Sequence, residues 1–232
     1  MKTYIPAAVL ALSVACACTP VHATVTLIEH MFEFSGAAEP QGPGPWLTTT
    51  IDDRGTPGSV NITLGNVNLV ANEFVSKWYL NVADRFEPDL LDFTASSTIG
   101  TFVLPSIETE TDGFKAAGSG YFDIMFDFAT GGGSGARFGA GESLILTVHD
   151  AGAGTLVASD FDVQCSAVKA KAKNVRIKET AQERLAQGGF PAAAHVQGIG
   201  IDGAMSGWVS TPEPAPLGLL GLGSLLLMVR RR

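Results

Sequence analysis

The stretch Gly120-Tyr121-Phe122-Asp123-Ile124-Met125-Phe126-Asp127-Phe128 decides the fold class. Phe122, Ile124, Phe126 and Phe128 fall on one side of an extended chain, and Tyr121, Asp123, Met125 and Asp127 on the other. That period of two is how a half-buried strand alternates. The same pattern recurs in both directions. Val60, Ile62 and Leu64 repeat it, as do Phe74, Ser76, Trp78, Leu80 and Val82, and then Leu144, Leu146 and Val148. Further strands are expected at 28–34, 46–51, 102–104, 156–163 and 195–201. Turn chemistry separates them: Pro40 to Pro45, Gly65-Asn66, Asp112-Gly113 and the glycine-dense run from Gly131 to Gly141. Eight to ten short strands without recurrent crossover helices predict an all-β fold, an antiparallel β-sandwich or jelly-roll-like domain.

One segment breaks the pattern. Residues 168–187 concentrate Lys169, Lys171, Lys173, Arg176 and Lys178, followed by Glu179, Glu183 and Arg184. Ile177, Ala181 and Leu185 lie at helical spacing, so the second half of this insertion reads as a helix with a narrow apolar stripe. Two readings stay open, a solvated insertion between strands and a basic patch for an anionic polymer or headgroup.

The ends of the chain carry a different signal. Residues 1–23 place Lys2 before an apolar run and finish in Val21-His22-Ala23, the small-x-small pattern of a signal peptidase site at Ala23. This predicts a cleavable signal peptide read by the general secretory machinery. Residues 211–232 run Thr-Pro-Glu-Pro, then the uncharged segment 215–229, then Arg230, Arg231 and Arg232. As a helix, 215–229 would cover roughly 22 Å of a hydrocarbon core about 30 Å thick, so snorkelling arginines must supply the remaining reach. The arginines favour the cytoplasmic side, which leaves residues 24–210 outside the membrane.

Pro212, Glu213 and Pro214, followed by a short Gly/Leu-rich span and an arginine cluster, resemble the PEP-CTERM sorting signal of Gram-negative envelope proteins. The resemblance implies recognition by exosortase, a membrane-embedded processing enzyme, in bacteria that usually make exopolysaccharide. It further implies transient anchoring in the inner membrane, then release to the outer envelope or the extracellular matrix. Glu73 to Tyr79 and Ala194 to Gly200 are similar to segments of small β-rich PEP-CTERM proteins of unassigned function, and this likeness supplies no catalytic residue. Where those proteins have a short Gly-rich loop before His-Val-Gln-Gly, this chain has its charged insertion.

Composition narrows the function classes. The chain has 15 basic and 23 acidic residues and a formal charge of −8. Setting aside Lys2, Glu213 and the three terminal arginines leaves 11 basic and 22 acidic residues, so residues 24–210 stand near −11. Nucleic acid is excluded as a partner, because binding it needs a basic stripe to replace counterions. Cys165 is the one cysteine between the two address segments, which precludes an internal disulfide there and predicts a buried small hydrophobe.

Motifs for chemistry are sparse. Gly132-Gly133-Ser134-Gly135-Ala136 fails the nucleophile-elbow pattern at its last position, and His30, His149 and His195 lack any local zinc spacing. No catalytic residue is assigned. Acidic pairs are the better lead. Asp160 and Asp162 bracket Phe161 on an expected strand, and Asp123 and Asp127 share a face. Either pair suits Ca²⁺ assembled from separate loops, or glycoside hydrolysis if the carboxylates stand about 5 to 9 Å apart. Trp46 and Trp208 are the aromatics expected to be exposed for sugar stacking, whereas Trp78 alternates in phase with the core. The leading expectation is a non-enzymatic envelope protein associated with exopolysaccharide or biofilm matrix. A carbohydrate-binding module, a secreted glycan hydrolase and a calcium-dependent adhesion domain stand as alternatives.

Overall fold

The computed structural model describes residues 24–31, 38–54, 58–117, 120–152, 154–166 and 190–210. Residues 1–23, expected to be a signal peptide ending at Ala23, the charged segment 168–187, and the expected sorting tail with Pro212, Glu213, Pro214, Arg230, Arg231 and Arg232 lie outside the described residues. Among the described residues no helix is long and apolar enough to cross a membrane.

The fold is all-β and antiparallel. In chain order the strands are β1 (Thr24–Met31), β2 (Leu47–Asp52), β3 (Ser59–Asn66), β4 (Phe74–Leu80), β5 (Leu91–Ile99), β6 (Ser106–Lys115), β7 (Tyr121–Asp127), β8 (Phe138–Gly139), β9 (Ser143–Asp150), β10 (Ala192–Ile199) and β11 (Met205–Ser210). One sheet has the order β5-β9-β3-β2-β1 and the other β11-β10-β4-β7-β6, with short β8 beside β4. The end of β1 joins them, because His30 and Met31 pair with Ser210 and Val209 of β11.

Both sheets feed one apolar core, an arrangement consistent with a β-sandwich. Leu47 and Ile51 of β2, Val60, Ile62 and Leu64 of β3, and Leu144, Leu146 and Val148 of β9 come from the first sheet. They meet Trp78 and Leu80 of β4, Ile124 and Phe126 of β7, and Val196 of β10 from the second. Full burial of each large side chain contributes about 1.5–3 kcal/mol. The alternation read in β3 and β9 therefore points inward as predicted.

A second, smaller cluster covers the far face of the second sheet, where Tyr79, Phe122, Met125, Ala193 and Cys165 pack together. Phe122 is thus out of step with Ile124 and Phe126, which face the main core. The pairing of β6 and β7 shifts register between Thr109 and Phe114, and this irregularity sits beside Phe122. Cys165 is 1% exposed, and its Sγ accepts a hydrogen bond from the Phe190 amide.

Several expected strands differ. Residues 158–161 form a 3-10 turn rather than part of a strand at 156–163, because Asp160 accepts the Val157 amide and closes the chain on itself. Residues 102–104 form no strand. Phe102 instead packs edge-on to Phe138 with ring centres 4.6 Å apart. β5, β6 and β11 lie where no strand was expected; Leu91, Phe93 and Ala95 do alternate at the start of β5, but the polar run Ser96-Ser97-Thr98 masks the rest, and Met205-Ser-Gly-Trp-Val-Ser210 has no regular alternation.

Candidate functional site

β4 contains an irregularity that shapes the surface on both sides of it. Between β10 and β4 the register slips, with His195 opposite Lys77 but Val196 opposite Val75, which leaves Ser76 as an extra residue. Such a bulge re-aims the side chains next to it. Val75, Trp78 and Leu80 turn inward. The expected in-phase series Phe74, Ser76, Trp78 is therefore broken, and Phe74 joins neither apolar cluster. It lies under Arg137, whose guanidinium carbon sits 4.4 Å from the ring centre.

Arg137 lies within the glycine-dense run, just after Gly131 to Gly135. Gly132 and Gly133 take positive φ values of 78° and 74°, a backbone that only glycine adopts freely. The Gly133 carbonyl accepts the amides of Ala136 and Arg137, closing the turn. Phe128 and Phe138 stack at 4.5 Å beneath the loop and fix its base. Arg137 Nε donates to the Thr130 carbonyl at 2.8 Å. Its side chain is thus held from two directions.

Two clefts flank the Arg137–Phe74 pair. One, of about 350 Å³, includes Asn72, Thr101, Ser134 and Glu142 in its walls. The other, of about 490 Å³, includes Thr130, Gln197, Asp202 and Ser206. The carboxylates nearest the loop are occupied by backbone. Glu142 accepts the amides of Gly139 and Thr101, and Glu73 accepts those of Gln41 and Val70. Arg54 is paired with Asp52 and Arg85 with Asp160, whereas Arg137 lies within 4 Å of no carboxylate among the described residues.

Gly198 shapes the second cleft. Its φ is +76°, and a Cβ there would stand 2.2 Å from the Asn72 carbonyl oxygen. The close approach of β10 to residue 72 therefore requires glycine.

A row of polar and aromatic side chains crosses the outer face of the second sheet, with Trp208, His195, Lys77 and Asp127 opposite one another on β11, β10, β4 and β7. The rings of His195 and Trp208 stack at 4.7 Å, and Tyr79 lies 5.7 Å from Trp208. Ser76 Oγ is 2.8 Å from His195 Nδ1 and also donates to the His195 carbonyl at 3.1 Å. Burial, and then the charge of Lys77, hold the His195 ring below the usual imidazole range. Burial, and then the charge of Asp127, push the Tyr79 phenol well above its usual range. A serine beside a neutral imidazole has the outline of a nucleophile and its base. Ser76 is 1% exposed, however, so its hydroxyl locks the bulge and does not meet a substrate.

The residues singled out from sequence disperse. Asp123 is fully buried, accepting the Asp112 amide at 2.8 Å and the Val82 amide at 3.1 Å. Asp127 is on the surface, 3.7 Å from Lys77 Nζ. Asp160 is held by Arg85 through Nε and Nη2 at 2.7–3.0 Å. Asp162 is exposed beyond the 3-10 turn, so Asp160 and Asp162 do not share a strand face as expected. Among the described residues no group of three or more His, Cys, Asp or Glu is placed to hold a metal ion.

Trp46 packs against the main core and donates its indole N–H to the Gly42 carbonyl, while Trp208 lies with the second cluster. The two tryptophans thus form no common platform. The Arg137 clefts were missed from sequence. The available signal was an arginine within a glycine-dense run, but the bulge that aims Phe74 beneath it has no sequence signature. No family model matches this chain, and no curated protein or solved structure matches it.

Proposed function

We propose that this is an exported, non-enzymatic envelope protein, sorted and processed by exosortase through residues 211–232 and acting outside the cell within exopolysaccharide. One observation carries the reading: Pro212-Glu213-Pro214, the uncharged run 215–229 and Arg230 to Arg232 follow one another in that order. Residues 24–210 then form a jelly-roll-like sandwich that is displayed or released. One feature of the body supports this. The acidic surface suits a hydrated extracellular setting.

Intact-mass analysis of the protein recovered from envelope and medium tests the proposal. The expected species begins at Thr24 and ends near Pro212 to Pro214. A full-length chain in the cytosol, with Met1 and Arg232 both present, would overturn it. A carbohydrate-binding role is the second reading, favoured by the two polar clefts around Arg137 rather than by the tryptophans.

A further inference from the structure

We infer that the paired clefts around Arg137 bind an uncharged, hydroxyl-rich oligosaccharide, laid across the end of the two sheets with the Arg137–Phe74 pair as the ridge between two sugar subsites. The inference rests on the reading above that the body works among extracellular polymer, and it names the place of contact.

Hydrogen-bonding capacity points to the ligand class. An arginine presents five N–H donors. Here Nε is used on Thr130, and no protein acceptor among the described residues takes the Nη groups. Arg137 lines both clefts, its side chain already immobilised against the Phe74 ring. Little rotamer freedom is left to lose on binding, which favours recognition over a solvated surface arginine. Around it stand amides and hydroxyls, namely Asn72, Gln197, Ser134 and Thr130, together with the acceptor Asp202. Such a mixture of donors and acceptors matches vicinal hydroxyls, each of which both donates and accepts.

Other ligands fit worse. A polyanion would face Glu73, Glu142 and Asp202 at the walls, with a single guanidinium to offset three carboxylates. A cation would meet Arg137. An extended peptide adds to a sheet edge, yet β4 and β10 lie within the second sheet, and β8, which pairs only with β4, is two residues long and too short to template a strand. The two clefts share Asn72, Phe74 and Arg137 and extend to opposite sides of them, so a ligand longer than one ring is required to fill both.

The experiment is titration calorimetry on the full-length chain in mild detergent, with uncharged gluco-, galacto- and manno-hexasaccharides, a uronate hexasaccharide and the matching monosaccharides. At least one uncharged hexasaccharide should bind saturably and more tightly than its monosaccharide. Arg137→Ala should weaken it about tenfold to a hundredfold, the loss expected for hydrogen bonds from a charged donor. Ser134→Trp, on the exposed loop, should block the smaller cleft without disturbing the core. Arg54→Ala, on a separate loop, should leave affinity unchanged. Binding of the uronate alone, no binding of any uncharged sugar, or affinity indifferent to both Arg137→Ala and Ser134→Trp would each overturn the proposal. Termini are irrelevant to this titration, so its failure is distinct from a failure of the sorting proposal, which the intact mass reads.

Discussion

Replacing Asp123 tests whether this carboxylate is a structural acceptor or a cation ligand. Its two oxygens take the amides of Asp112 and Val82, tying the irregular stretch of β6 to the chain leaving β4. A hydrogen bond to a charged acceptor contributes about 1.5–3 kcal/mol, and a buried donor left unpaired costs a similar amount. Asp123→Asn keeps one acceptor oxygen and turns an NH₂ toward the second amide, so a loss of about 2–3 kcal/mol is expected. Asp123→Ala strands both amides and should lose about 4 kcal/mol. For a domain of this size about 1 kcal/mol shifts the melting temperature by about 2–4 °C, so Tm should fall by about 4–12 °C for Asn and more for Ala. Thermal unfolding followed by tryptophan fluorescence reports this, with fully buried Trp78 as the main probe. The same melts in Ca²⁺ and in chelator should show the same deficit. A variant within about 2 °C of the parent, or a deficit that appears only with Ca²⁺ present, would refute the reasoning.

Three other outcomes follow from the structure. Gly198→Ala should cost at least about 2 kcal/mol, visible as a lowered denaturation midpoint, because its Cβ meets the Asn72 carbonyl at 2.2 Å and its φ is +76°. His195 titrates in the folded state below its ordinary value of 6.5, so the unfolded chain binds more protons between the two values. Stability should therefore fall as pH drops below about 6.5 and level off beneath the folded pKa, and His195→Gln should remove that part of the slope in denaturant titrations. Replacing residues 167–189 by a two-residue turn should leave Tm unchanged or raised. The segment's ends already meet, with the Cys165 amide donating to the Phe190 carbonyl at 2.9 Å, and a shorter loop recovers up to about 2 kcal/mol of closure entropy. A Tm lowered by about 10 °C would show instead that the segment contributes to the fold.

Much of the fold was legible in the chain, because one buried face imposes a period of two wherever a strand crosses the core. Val60 to Leu64 and Leu144 to Val148 carry that imprint, and the structure pairs them as neighbours in β3 and β9. β5 was not legible. Beyond Phe93 its residues are exposed on both faces, so burial imposed no alternation on Thr94 to Ile99. The acidic residues misled for a related reason. Sequence spacing says which residues share a face, but not whether a backbone amide or an arginine from a distant strand has already claimed the carboxylate, as at Asp123 and Asp160.

What the sequence alone determines here is local: the β class, the acidic character of residues 24–210, and the order of motif, apolar run and arginines at 211–232. Each is a property of neighbouring residues and needs no knowledge of who packs against whom. Tertiary structure decided the rest. The bulge at Ser76 arises from how β10 and β4 align across more than a hundred residues of chain, and it aims Phe74 away from the core and under Arg137. Register between distant strands is set by the summed packing of both sheets, a quantity no short stretch encodes. The clefts therefore became visible only once the strands were paired.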